Sequence, residues 1–175
     1  ATLGLRADQL EVSDEAGQYV TEGLGTALSL VLRQRQSAWH WQAKLSSEQG
    51  QAYAEPIFMD LAETRLNLQG RGVWHRQSKK LEVIAATFKQ QGVLQAKLNL
   101  LMSNNEITHL NVDISPTRLA GLYQHWLQPF TVGTAVDNLT LAGDVSLHYQ
   151  QQHEAYQLQL GLDNISVDDA LARFE

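Results

Sequence analysis

Along most of this chain apolar and polar residues alternate one for one. Leu66, Leu68, Gly70, Gly72 and Trp74 fall on one parity, with Asn67, Gln69 and Arg71 on the other. Leu94, Ala96, Leu98, Leu100 and Met102 alternate with Gln95, Lys97 and Asn99, and Tyr156, Leu158, Leu160 and Leu162 with Gln157, Gln159 and Asp163. A period of two sends successive side chains to opposite faces of a pleated strand, so the pattern predicts a sheet with one apolar and one polar face. Strands are expected near residues 2–12, 18–22, 25–33, 38–46, 50–55, 63–75, 80–89, 93–103, 107–115, 137–150 and 154–167. The separators are short and turn-like, among them Asp14-Glu15-Ala16-Gly17, Gln34-Arg35-Gln36, Ser46 to Gly50 and Ser103-Asn104-Asn105. Turns this short make hairpins, so the expected topology is an antiparallel meander.

One segment departs from the rule. Leu119, Leu122, Tyr123, Trp126 and Leu127 recur at helical spacing, which predicts one α-helix near 116–128. Ser115 reads as its N-cap, Pro116 as its first helical position and Pro129 as its stop. Tyr123 and Trp126 belong to its apolar stripe and are expected to fix it to the sheet. The stretch Asp168-Asp169-Ala170-Leu171 reads equally as a turn or a helical start.

The sheet offers more apolar surface than such a helix can cover. Some nine strands about 4.8 Å apart make a sheet roughly 40 Å across. A helix of this size is only ~18 Å long and ~10 Å wide. The sheet then closes into a barrel, folds over as a sandwich, or curls into a trough whose lining stays open. Glycines inside strand patterns (Gly23 and Gly25, Gly70 and Gly72, Gly143) mark bends, bulges or close backbone approach.

Composition narrows the class. The chain has 175 residues, 43% hydrophobic and 18% charged, which suits a single β-rich domain over 1–175. Its net charge of −6 argues against a nucleic-acid partner, and its few basic groups (Arg33, Arg35, Arg76, Lys79, Lys80) fall at predicted turns. It has no cysteine, so disulfides and thiolate metal sites are excluded. No apolar run approaches the ~18 residues needed to span a bilayer. Asp8-Gln9-Leu10-Glu11-Val12-Ser13-Asp14 lines up with Asp163-Asn164-Ile165-Ser166-Val167-Asp168-Asp169, and Tyr19 then falls opposite Phe174. Such a weak repeat is what a slice of a longer, repetitive protein would show.

Catalytic chemistry finds little support. His40, His75, His109, His125, His148 and His153 have no metal-ligand spacing, and His40, between Trp39 and Trp41, points to the other face. Gly23-Leu24-Gly25 lacks the third glycine of a phosphate loop. The pairs Asp14-Glu15 and Asp168-Asp169 read as turns rather than calcium loops. No catalytic residue, metal or cofactor is expected. Trp39 and Trp41 share an apolar face with Ala43 and Leu45, either as core filling or as lining of a channel.

Leu66-Asn67-Leu68-Gln69-Gly70, the run from Leu139 through Gly143 to Leu147, and the strand-turn segment from Leu162 to Phe174 are the residues that carry a likeness. With its Gln- and Asn-rich outer faces and no cysteine, the chain resembles the AsmA-like family of Gram-negative envelope proteins. The resemblance implies a parent anchored in the inner membrane, with a periplasmic β-groove conducting phospholipid between membranes. It implies no catalytic residues. The expectation is therefore a non-enzymatic segment carrying acyl chains along a curled sheet or partly open barrel. Its lining would be Leu28, Leu30, Trp39, Trp41, Leu66, Leu68, Leu98, Leu100, Leu158 and Leu160. Its partners would be a phospholipid or other acyl-chain ligand and flanking segments of the parent or an envelope protein, with membrane association only through the parent. One rival is a structural or interaction module, a closed barrel or sandwich joining neighbours by strand addition. Another is a hydrolase or binding enzyme assembled from scattered His and Asp.

Overall fold

The computed structural model describes residues 1–54, 57–134 and 137–169. Ten strands build one antiparallel sheet: β1 (Thr2–Ser13), β2 (Tyr19–Arg35), β3 (Ala38–Ala54), β4 (Ile57–Asp60), β5 (Leu66–His75), β6 (Lys80–Gln90), β7 (Leu94–Ser103), β8 (Glu106–Arg118), β9 (Leu139–Gln152) and β10 (Ala155–Asp169). Their order is β1-β2-β3-β5-β6-β7-β8-β9-β10, with β4 off this path and paired to the end of β3. It is the meander that the alternation predicts. The edges β1 and β10 do not pair with each other, so the sheet is open and not a barrel.

Register turns the sequence parity into continuous faces. From Leu5 on β1, the row Leu28, Leu45, Leu68, Phe88, Ala96, Ile114, Leu147 and Leu160 runs partner to partner across the sheet. Between its residues on each strand lie the polar positions, such as Lys44, Gln69, Thr87 and Lys97, in a row on the opposite face. Bulges keep the faces intact where the sequence slips parity. At Ile84 and Ala85 two residues oppose Asn99, which lets Val83 and Ala86 both face the apolar side.

Two expected turns are bends within long strands. The breaks read at 23–24 and at Ser46 to Gly50 lie inside β2 and β3, which run on as 17-residue strands with register shifts there. Gly50 adopts φ +85°, and a Cβ on it would overlap the Gly23 carbonyl. The two backbones cross too closely for any side chain. The expected strand 50–55 is thus the end of β3, though its last residue, Glu55, lies outside the described residues.

The helical segment sits three residues later than the sequence places it. Its parts are α1 (Leu119–Leu122), a π-helical turn (Tyr123–Leu127) and α2 (Gln128–Thr131). Ser115 and Pro116 are strand residues in a bulge of β8 against β9, and no side chain caps α1. Proline is as suited to a bulge as to a first helical turn, because neither position needs its missing N–H. Pro129 does not stop the helix but stands at the start of α2. The wide turn lies directly before it, with the Gln128 N–H reaching back five residues to the Tyr123 carbonyl. Ala170 and Leu171, read in the sequence as a turn or a helical start, and Phe174, read as part of a repeat, lie outside the described residues.

The core is small and most of it sits under this segment, with Ala38 and Val73 buried apart from it at the hairpin end of β3 and β5. Leu61, Leu66, Val93, Leu94 and Tyr123 are buried under the segment. The Phe88 and Trp126 rings meet edge to face at 6.4 Å, and Tyr53 and Phe130 stand 5.6 Å apart. The sheet therefore has a closed rim at the helix and an open rim at the β2–β3, β5–β6, β7–β8 and β9–β10 hairpins.

Candidate functional site

A hollow of about 440 Å³ lies in the middle of the apolar face, lined by Leu45, Leu68, Phe88 and Leu98 around a floor of Ala43, Gly70, Ala86 and Ala96. Its origin is a matter of register. Ala43, Gly70 and Ala86 are successive cross-strand partners on β3, β5 and β6, so three small residues stand side by side. Leucines of the neighbouring row wall it toward the helix rim. The volume falls in the range of small-molecule sites, roughly 300–1,000 Å³.

Trp41 bounds the small-residue row on the hairpin side. Its indole lies across Gly72 and against Gly70, where a Cβ would stand 3.2 Å from Trp41 Cζ3. The close approach anticipated for Gly70 and Gly72 is thus that of an aromatic ring, and at Gly72 also of the Glu82 carbonyl. The Trp41 indole N–H is buried and has no hydrogen-bond partner among the described residues.

All ten expected lining residues share this one face, but they do not form one site. Leu68 and Leu98 line the hollow. Leu28 and Leu30 stand beside it on β2, cross-strand partners of Leu45 and Ala43. Leu100 and Trp41 belong to the next row toward the hairpin rim, and Trp39 pairs with Trp74 beyond them. Leu66 is sealed beneath the helical segment. Leu158 and Leu160 are on the outermost strand, about 60% exposed and two strands beyond Val112, where the lining of the hollow ends. The floor residues Ala43, Gly70, Ala86 and Ala96 were not among the expected ones. Each lies on the apolar parity, and their small size is a signal the sequence carries.

A buried polar chain holds the helical segment over the closed rim. Trp126 Nε1 donates to Gln90 Oε1 at 2.8 Å, Gln90 Nε2 donates to Thr64 Oγ1 at 2.6 Å, and Thr64 Oγ1 donates to the Asp60 carbonyl at 2.6 Å. Gln90 is fully buried, yet both ends of its amide are satisfied, which offsets the cost of desolvating it.

Lys97 is the titratable residue among those lining the hollow; the histidines and the ion pairs of the described residues lie away from it. His148 and Asp113 are cross-strand partners on the polar face, with Nδ1 and Oδ1 2.6 Å apart. His40 pairs with Arg33 across the same face, opposite Trp39 and Trp41 as the alternation predicts. The Arg6 guanidinium has its pKa raised by a hydrogen bond to Asp8 and by that carboxylate's charge, at a fully exposed edge. Among the described residues no cluster of three or more His, Cys, Asp or Glu could hold a metal, and no helix is long and apolar enough to cross a membrane. Comparison with known proteins finds no family model, no curated protein and no solved structure that matches the chain.

Proposed function

We propose that this chain is a non-enzymatic segment of an AsmA-like periplasmic protein that holds phospholipid acyl chains along its apolar sheet face, as part of a path between inner and outer membranes. The observation that carries the reading is the uncovered face itself: nine strands keep apolar residues in register, while one helical segment shields only the closed rim. Burying hydrocarbon there gains about 0.8 kcal/mol per methylene, with no directional contact required. The hollow over Ala43, Gly70 and Ala86 gives a chain somewhere to lie below the level of the surrounding leucines. Headgroups stay in water above the open side.

Mass spectrometry of organic extracts from the purified protein tests this, with co-purifying phospholipid expected. A photoreactive residue at Leu68 or Leu98 should crosslink to that lipid, and Ala86→Leu, which fills the floor, should lower its yield severalfold. Protein consistently free of lipid, with no crosslink at either position, would sink the proposal. It would favour the rival interaction module, which draws its support from the β10 edge, where Tyr156, Leu158, Leu160 and Leu162 are all well exposed.

A further inference from the structure

Basic residues that the sequence places at two separate turns and on the polar parity of a strand come together in space. Arg33, Arg35 and Arg71, with His40, line one hollow of about 220 Å³ on the polar face near the hairpin rim of β2, β3 and β5. Lys80 stands in the same row as Arg35 through Ala38 and His75, and Arg76 and Lys79 occupy the adjoining turn. Six of the chain's thirteen lysines and arginines thus gather at one corner of a protein whose net charge is −6. On these four strands the acidic residue at this end of the polar face is Glu82. Among the described residues Arg33, Arg35 and Arg71 make no ion pair or side-chain hydrogen bond. Their charge is uncompensated and available.

The other face of the same rim is aromatic. Trp74 is 45% exposed beside its partner Trp39. Indoles with one apolar body and one N–H favour the level of lipid headgroups, and arginines favour their phosphates.

We infer that the hairpin rim of β2, β3, β5 and β6 docks edge-on against an anionic lipid bilayer, its arginines on the phosphates and Trp74 at the headgroup level. The arrangement selects a bilayer over a nucleic-acid strand or an acidic protein. Cations and indoles lie on opposite faces of the sheet, so a partner resting on one face reaches only one set. A surface met by the rim engages both at once. This inference does not depend on lipid occupying the central hollow, since neither Arg33, Arg35 and Arg71 nor Trp74 lines it.

Vesicle flotation tests it with the whole chain, comparing phosphatidylcholine vesicles with phosphatidylcholine–phosphatidylglycerol vesicles. Binding is expected only to the mixed vesicles, to fall as salt screens the charges, and to blue-shift tryptophan emission. The triple variant Arg33→Glu, Arg35→Glu, Arg71→Glu should lose at least about tenfold in partitioning. A charge-matched control at other sites, Arg6→Glu, Arg65→Glu, Arg118→Glu, should keep most of it. Trp74→Phe should abolish the emission shift. Circular dichroism checks the fold of each, and the milder Arg→Gln triple gives the same readout should the reversal unfold. The proposal falls if neutral vesicles bind equally, if the triple variant partitions as the parent does, or if a single-stranded oligonucleotide binds as tightly as the mixed vesicles. Co-purified lipid unchanged in the triple variant separates this surface from the acyl-chain site.

Discussion

Gly70 and Gly72 differ by one turn of the pleat, yet a methyl group added to each would meet different obstacles. At Gly70 it would press on the edge of the Trp41 ring, which would have to give by a few tenths of an ångström. At Gly72 it would overlap the Glu82 carbonyl oxygen of the paired strand as well as the indole. We expect Gly72→Ala to cost about 2 kcal/mol or more and Gly70→Ala less than about 1 kcal/mol, measured as the shift in urea midpoint at constant slope. Equal costs would show that Trp41, and not the β5–β6 backbone, sets the spacing. The same positions mark what the sequence reveals at this scale. Alternation assigns nearly every side chain to its face, because a pleat leaves no other choice. It does not show that Ala43, Gly70 and Ala86 stand in line, because that depends on strand register rather than on any one segment. A reading that looks for large apolar residues finds the walls of the hollow and misses its floor.

Among the elements, the helical segment was legible in kind but not in its bounds. Leucine and aromatic spacing defines its stripe, whereas Pro116 suits both the bulge of β8 and a helix start, and only pairing with β9 decides between them. The two long strands were read as four for a similar reason: glycine signals a bend and a turn alike. The anchor that holds the segment was invisible, because Gln90 reads as an ordinary polar residue at a strand end. Gln90→Leu would leave the Trp126 N–H without its acceptor under the segment, and we expect a loss of about 2 kcal/mol. Hydrogen exchange should localise that loss to residues 119–131 and to Thr64, with the middle strands still protected. Uniform loss of protection would instead mean that the segment and the sheet unfold as one unit.

For the whole molecule, the open sheet leaves two long edges that natural proteins normally blunt. β1 is interrupted by register shifts around Leu10, and β10 by one between Asp163 and Ser166. The stretch of β10 from Tyr156 to Leu162 is regular, apolar on one face and exposed. Self-association at high concentration is expected through this stretch. Leu158→Lys with Leu160→Lys should reduce it severalfold in sedimentation velocity without lowering thermal stability by more than a few degrees. Association unaffected by both lysines would move the contact to another surface.

An odd count of strands, nine along the main path, has its own geometric result. The first and last run in the same direction, so copies queued front to back could join only by parallel pairing, which is slightly the weaker kind per residue. The favoured junction is like with like, β10 beside β10 about a two-fold axis normal to the sheet. Such a rotation keeps the oily side of both molecules facing one way while sending their helical lids to opposite flanks. A ribbon assembled by that rule would have one unbroken hydrocarbon surface and alternating roofs.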